Sequence, residues 1–232
     1  MSSPRNALEI GGLIVTTDNS GGIGEKPDDL VAVPDRITAR FAARVCLLEQ
    51  WAAGAEPEAV LLHNFSGGAS WEAYCTGVRD IFDEIGEPAP PISGSTETNM
   101  ELRQSALTVT FLGRAAASPS GSSGDWFTYG TPLVGEAVLT EAADIASLAV
   151  LQEVRRLCIP MRIWPVGSAG ILAELMIADP AAAARIAGSP LDLHTSAGPA
   201  TVVLLQIPAA AQPAARKYFG RQLRPLTVPA GE

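Results

Sequence analysis

GLIVTTDNSGGIGEKPDD, residues 12–29, is the stretch on which the reading of this chain turns. Gly12 to Thr17 is apolar and β-branched and predicts a strand, and Asp18 to Asp29 predicts a polar, glycine-rich loop leaving its end. Pro34 and Asp35 then open a helix with Ile37, Phe41, Val45, Leu48 and Ala52 at helical spacing, stopped by Gly54. Ala59 to His63 predicts a second strand. Ser70 is placed to cap a second helix with the stripe Trp71, Tyr74, Val78, Phe82 and Ile85, ended by Gly86, Pro88, Pro90 and Pro91. The loop ISGSTETNM, residues 92–100, leads to a strand over Ser105 to Leu112.

The run AAASPSGSSGD, Ala115 to Asp125, has the Ser, Gly and Pro content of a connection and divides the chain into domains at 8–115 and 125–232. In the second, the pattern predicts a helix over Glu141 to Leu157, a strand over Met161 to Trp164 and the turn PVGSAG opening a helix from Ile171. A helix started by Asp179 and Pro180, a strand over Thr201 to Ile207 and a last helix over Pro213 to Phe219 follow. Both halves mix α and β.

Of 232 residues, 47% are hydrophobic and 18% charged, enough apolar side chain for a substantial core. The formal charge of −9 argues against a sequence-independent grip on nucleic acid, which needs Lys and Arg on phosphates. A small anion would need local cations, a metal or backbone N–H groups. Cys46, Cys75 and Cys158 lack the spacing of a zinc site or disulfide framework and read as buried thiols of a reducing cytosol. The first residues lack the long apolar run of a signal peptide, and no uninterrupted apolar stretch suits a membrane span. The expected location is cytoplasmic.

Three segments pair glycine with a carboxylate: the loop around Asp18, the helix end around Glu49 and the loop around Glu97. Each alone is also what a tight bend requires. Together they supply what a nucleoside triphosphate needs, carboxylates for Mg²⁺ and close backbone approach to phosphate. Lys26 reads either as a solvated loop lysine or as a neutraliser of phosphate charge. His63, followed by Asn64, reads either as a structural strand-end histidine or as a group that orients an acceptor hydroxyl. The turn Gly167, Ser168, Ala169, Gly170 reads either as a plain strand-to-helix turn or as N–H groups offered to an anion. Trp71 and Trp164 read as core, with stacking on a base the other reading.

Thr16-Thr17-Asp18 with Gly22-Ile23-Gly24-Glu25-Lys26, then Glu49 five residues before Gly54-Ala55-Glu56-Pro57, then Gly94-Ser95-Thr96-Glu97-Thr98-Asn99-Met100, follow one another in the order and spacing of a known pattern. The chain resembles the aminoimidazole ribonucleotide synthetase, thiamine-phosphate kinase and selenophosphate synthetase superfamily, over residues 12 to 113 and more loosely through PVGSAGILAEL. The resemblance implies a ferredoxin-like N-terminal half, a reduced α/β C-terminal half and a homodimer. It also implies Mg-ATP as cofactor, with Asp18, Glu49 and Glu97 holding magnesium, and Asn19, Gly22, Gly24, Lys26, Gly94, Gly167, Ser168 and Gly170 around the nucleotide. Lys26, which the resemblance puts close to the phosphates, and His63, by its place at the strand end, are the candidate catalytic residues.

The chain departs from the pattern in a first loop about three residues longer, in Glu49 for an aspartate, and in lacking the serine- and asparagine-rich motif of the second half. It has no N-terminal reactive cysteine, no C-terminal cysteine in TVPAGE and no Gly-Asp-Asp loop, which sets it apart from several branches. DNSGGIGEK, LLHNFSG and GSTETN resemble the compact α-ribazole kinases of cobalamin lower-ligand salvage, which implies phosphorylation of the ribose 5′-hydroxyl of α-ribazole. The alternatives are a ring- or amide-forming synthetase of the same superfamily and a non-catalytic ATP-binding sensor or partner subunit.

Overall fold

The computed structural model describes residues 6–115, 123–157, 159 and 162–226. Its first strand after the edge is longer than the sequence pattern suggests. Strand β2 runs Leu13–Gly21, so Asp18, Asn19 and Ser20 are strand residues and not loop. The reason is pairing: β2 lies antiparallel to β7 (Ala106–Ala115) through to Gly21 opposite Ala106, and that ladder carries the polar residues along. The glycine-rich turn starts at Gly22.

The described residues form two compact units, one within Asn6–Ala117 and the other within Ser118–Glu232. In the first, β1 (Ala7–Ile10), β2, β7, β5 (Ala55–Asn64) and β6 (Ile92–Thr96) make one sheet in that order. All neighbours are antiparallel except β5 and β6. The segment ISGST, expected as loop, is strand β6; its small polar residues hide a backbone-driven parallel pairing with Val60 to Asn64. A two-residue parallel pair, β3 (Ile23–Gly24) with β4 (Val31–Ala32), closes the loop between them.

Helix α1 (Asp35–Ala52) starts after Pro34, as the proline and aspartate predict, and packs on β2, β7 and β5. Ala39, Ala43, Cys46 and Leu47 are fully buried on it, the small side chains allowing close approach. Helix α2 (Trp71–Ile85) buries Tyr74, Val78, Ile81, Phe82 and Ile85, and Phe82 stacks on Phe111 of β7 with centroids 5.8 Å apart. Each such side chain contributes about 2 kcal/mol by leaving water. Trp71 is only half-buried. Ser70 stands at the N-cap, but its hydroxyl makes no capping bond, because a 3₁₀ turn over Gly68–Ser70 precedes the helix. Gly86 ends the helix at φ 67°, a left-handed cap that costs glycine little. The helices occupy one face of the sheet; this is a mixed α+β layer pair, in keeping with the expected fold class.

In the second unit β11 (Leu223–Pro225), β8 (Asp125–Tyr129), β10 (Val203–Ile207) and β9 (Arg162–Pro165) form an antiparallel sheet in that order. The expected helix over Glu141 to Leu157 is shorter. Short turns α3 (Ala137–Thr140) and a 3₁₀ turn at Ala142–Asp144 precede α4 (Leu148–Arg156), whose Ser147 hydroxyl caps Val150 N–H at 3.3 Å. Helix α5 (Gly170–Ala178) is followed by α6 (Pro180–Ala183), capped by Asp179 as expected, and α7 (Gln212–Phe219) carries its proline in the first turn. Trp164 is core, 1% exposed, its indole N–H on Glu174 at 3.1 Å. Cys158, Met161 and most of the Ala115 to Asp125 connection lie outside the described residues. Among the described residues no helix is long and apolar enough to cross a membrane.

Candidate functional site

The sheet of the first unit gathers its chemistry at one end, where β2, β5 and β6 terminate and β7 begins. Asn19, Thr108, His63 and Ser95 stand in one cross-strand row there. The strand alternation puts them on the face opposite the helices. Thr17 and Thr110 form the adjacent pair, their hydroxyls 3.0 Å apart. Asn19 and His63, singled out separately by sequence, thus share a surface, about 10 Å apart at two strand spacings.

Asp18 points the other way. It shares the helix-facing side of β2 with Ile14 and Thr16, and is half-buried. Burial first, then the charge of Asp18, holds the Cys46 thiol well above its ordinary pKa, and the thiol donates to Val109 carbonyl at 3.2 Å. Glu49, one turn further along α1, adds to the same effect but is fully buried, its Oε1 accepting from Asn6 Nδ2 at 3.2 Å. Glu97 follows β6, where its N–H donates to Asn64 carbonyl at 2.8 Å. Its carboxylate accepts from the N–H groups of Asn99 and Met100, at 2.6 and 3.1 Å, and these bonds hold its pKa below the usual carboxylate value.

The three carboxylates do not form one ligand set. Asp18 stands opposite Val109, Val109 opposite Leu62 and Leu62 opposite Gly94, so Asp18 and the strand leading to Glu97 are three spacings, about 14 Å, apart. Among the described residues no group of three or more His, Cys, Asp or Glu is placed to hold a metal ion. Asp18 and Glu97 offer hard carboxylate oxygens with some exposure, which suits a cation that takes few protein ligands and keeps its waters. Glu49 does not fit as it stands, since no water-bearing ion reaches a fully buried side chain.

Gly22 is favoured by its left-handed backbone, φ 72°, and Gly24 by packing. Gly22 N–H donates to Ser105 carbonyl at 2.8 Å, and its carbonyl accepts from Leu30 N–H at 2.7 Å. At Gly24, with φ 156°, a Cβ would lie 2.3 Å from Ser105 Oγ and 2.8 Å from Asp35 Oδ1. Gly94 lies in β6, where a Cβ would meet Leu62 carbonyl oxygen at 1.8 Å. Lys26 ties the loop down, its Nζ donating to Leu102 carbonyl at 2.6 Å, so reaching a phosphate requires leaving that carbonyl. Asp28 pairs with Arg103, and Gln104 Nε2 donates to Asp28 carbonyl at 2.8 Å. The 22–32 loop is laced to residues 102–105.

Sequence reading passed over the buried polar string beneath this loop. Asp29 accepts from Ser105 Oγ and Ser105 N–H, both at 2.7 Å, and from Lys26 N–H at 2.8 Å. Burial pushes its carboxyl up, but these bonds and the Lys26 charge outweigh it and hold the pKa below the ordinary value. Tyr74, fully buried, shares a 2.6 Å hydrogen bond with Ser66 Oγ and donates to Asp35 Oδ1 at 3.4 Å. Burial pushes its phenol up to about 12. The sequence signal was present in Asp29, Asp35, Ser66 and Ser105, but their meeting depends on contacts 39 to 76 residues apart.

In the second unit Gly167 carbonyl accepts from Gly170 N–H and Ala197 N–H, each at 3.2 Å, and Ser168 is exposed. A Cβ on Gly170, at φ 86°, would lie 2.8 Å from Leu193 carbonyl oxygen. The turn is shaped by the 193–197 segment.

No protein-family model matches the chain, and no curated protein matches it. Solved structures do. The hydrogenase maturation protein HypE aligns at TM-score 0.62 and 13% identity, over 95% of this chain and 81% of that one. Thiamine-monophosphate kinase from Stenotrophomonas maltophilia K279a aligns at TM-score 0.57 and 15% identity, over 99% and 90%. AaThiL complexed with AMPPCP and TMP aligns at 0.59 and 12%, over 97% and 84%. The chain has the aminoimidazole ribonucleotide synthetase-related fold. That fold accounts for nearly all of this chain and for 81–90% of those three.

Proposed function

We propose that this protein is an ATP-dependent phosphotransferase acting on a small hydroxyl-bearing acceptor, with α-ribazole, at its ribose 5′-hydroxyl, as the acceptor favoured by DNSGGIGEK, LLHNFSG and GSTETN. The supporting observation is the convergence at one sheet end of Asp18, the laced Gly22 to Ala32 loop, His63 and Glu97, in a fold shared with thiamine-monophosphate kinase and with a protein complexed with AMPPCP. Phosphoryl transfer asks a protein mainly to align acceptor and phosphate and to offset charge.

In this reading Asp18 and Glu97 would each hold a magnesium ion of its own, and the ions would supply charge neutralisation at the phosphates. Backbone N–H groups of the 22–32 loop approach the phosphates, and Lys26 leaves Leu102 to join them. His63, with Asn19, Thr108 and Ser95 beside it, orients the acceptor hydroxyl. A homodimer follows the same resemblance, and the apolar strip of Leu8, Ile10, Leu13 and Val15 on the helix-free face suits it, Leu8 and Ile10 being 59% and 57% exposed. The compartment proposed is the cytoplasm.

The burial of Glu49 favours a second reading, an ATP-binding protein that does not turn over. Incubation with Mg-ATP and α-ribazole, thiamine phosphate or no acceptor, followed by mass spectrometry, separates these. A product one phosphoryl group heavier with α-ribazole supports the kinase, and free phosphate with an altered acceptor indicates a synthetase. ATP binding without consumption indicates the sensor. Asp18→Asn and Glu97→Gln are expected each to abolish turnover while circular dichroism is unchanged; full activity in both would remove these carboxylates from the metal site.

A further inference from the structure

The hydroxyl of Tyr74 on α2 lies between the two sides of the candidate site and bonds both. On one side is the turn after β5: Asn64 Oδ1 accepts Ser66 N–H at 2.8 Å, and Asn64 Nδ2 donates to Gly67 carbonyl at 2.8 Å and to Thr96 Oγ1 at 3.3 Å. Ser66 Oγ accepts Ala106 N–H at 3.0 Å, so the start of β7 is held by the same group. This turn carries His63 on its entering strand, and Asn64 carbonyl holds Glu97 N–H. On the other side is Asp35, 3% exposed, in the first turn of α1, whose Oδ1 lies where a side chain on Gly24 would project. Its N–H donates to Glu25 Oε2 at 3.5 Å.

We infer that Tyr74 is a positioning residue: through Ser66 and Asp35 it fixes the 64–67 turn, with His63 and Glu97, in register with the glycine-rich 22–32 loop. Its ring is fully buried, and its hydroxyl bonds Ser66 Oγ and Asp35 Oδ1. A phenylalanine would fill the same space and cut the string at its centre, leaving Ser66 and Asp35 buried with one partner fewer. Loop and turn then move independently, and a ligand that needs both at once pays for bringing them together. The affinity consequence rests on the nucleotide-binding reading above, whereas the tie itself does not.

The experiment compares the full chain with Tyr74→Phe, Ser66→Ala and the double variant, by hydrogen exchange of the ligand-free proteins and by fluorescence titration with Mg-MANT-ATP. Tyr74→Phe is expected to speed exchange in peptides from both 22–32 and 64–70 by about fivefold or more. Peptides from the second unit stay unchanged. The dissociation constant for Mg-MANT-ATP rises by a similar factor, Ser66→Ala, which also releases Ala106 N–H, does so at least as much, and the double variant adds nothing to Ser66→Ala, because both cut one string. Faster exchange spread evenly over the first unit, or confined to one of the two segments, would overturn the tie, and so would additive effects of the two substitutions. Unchanged affinity in a variant whose loops have loosened would overturn the positioning role. If the unsubstituted protein does not bind Mg-MANT-ATP, the nucleotide reading falls, and the exchange comparison still decides whether Tyr74 couples the segments.

Discussion

Gly24→Ala asks whether the glycine-rich stretch is demanded by the ligand-free protein or only by approach to a phosphate. A methyl group at residue 24 would lie 2.3 Å from Ser105 Oγ, 2.5 Å from Ser105 Cβ and 2.8 Å from Asp35 Oδ1. Comfortable contact needs about 3.5 Å, so something must shift by about 1 Å. Ser105 cannot swing aside cheaply, because it is fully buried and Asp29 holds both its hydroxyl and its N–H at 2.7 Å. Overpacking of this kind costs about 1–3 kcal/mol. The backbone at φ 156° adds about 1 kcal/mol for a residue with a Cβ. A loss of about 3 kcal/mol, at a urea slope of about 2 kcal/mol per M, lowers the unfolding midpoint of the first unit by about 1.5 M. Circular dichroism in urea without nucleotide measures it, with exchange of β2 and β7 peptides assigning the transition. A shift below about 0.3 M would refute the packing argument and return Gly24 to the ligand.

Three further outcomes follow from the packing and hydrogen bonds of the two units. Gly77→Ala should destabilise the first unit by about 1–2 kcal/mol in urea, although alanine is the better helix former by about 1 kcal/mol. Its Cβ would lie 2.1 Å from Arg36 carbonyl oxygen, forcing α1 and α2 apart and loosening the Arg36–Asp80 and Arg40–Glu84 pairs. The Asp29 carboxyl has a folded pKa below the ordinary value of 3.8, so its contribution is fully present above 3.8 and is lost as pH falls below it through the folded pKa. The gap in urea midpoint between unsubstituted protein and Asp29→Asn should therefore narrow as pH drops below 3.8. Trp164→Phe removes the indole bond to Glu174 and should cost about 2 kcal/mol in the second unit, with Mg-MANT-ATP affinity unchanged if the residue is core alone.

Helices were legible where their apolar face and their stop signals agreed. Pro34, Asp35 and Gly54 bracket α1, and Pro213 opens the helix that ends at Phe219. Strands were legible only where burial alternates or is complete. Strand β8, DWFTY, follows a Ser- and Gly-rich run and is buried at four successive positions, so no period distinguishes it. Strand β6 is nearly all small and polar, and its pairing comes from Leu62 and its neighbours, 32 residues away. The same non-locality hid the true end of β2: Gly21 and Gly22 signal a turn, yet the ladder with β7 carries Asp18 and Asn19 as strand residues up to it.

That displacement changes the chemistry available to the site. In a loop, Asp18 and Asn19 would both reach one ligand; on a strand they are committed to opposite faces. Asp18 is left with the helix side, Cys46 and the end of the glycine-rich stretch, and Asn19 with His63, Thr108 and Ser95. A ligand seated at the strand ends can meet both faces only around the edge where β2, β5 and β6 stop, which is also where the 22–32 loop and Glu97 stand. Under the proposed function, the work divides between a carboxylate side, for a metal and phosphates, and a hydroxyl-and-imidazole side, for an uncharged acceptor. The register of those two sides is what the Asp35, Tyr74 and Ser66 string fixes, and it explains why so many buried polar groups are spent beneath a loop whose own residues are small.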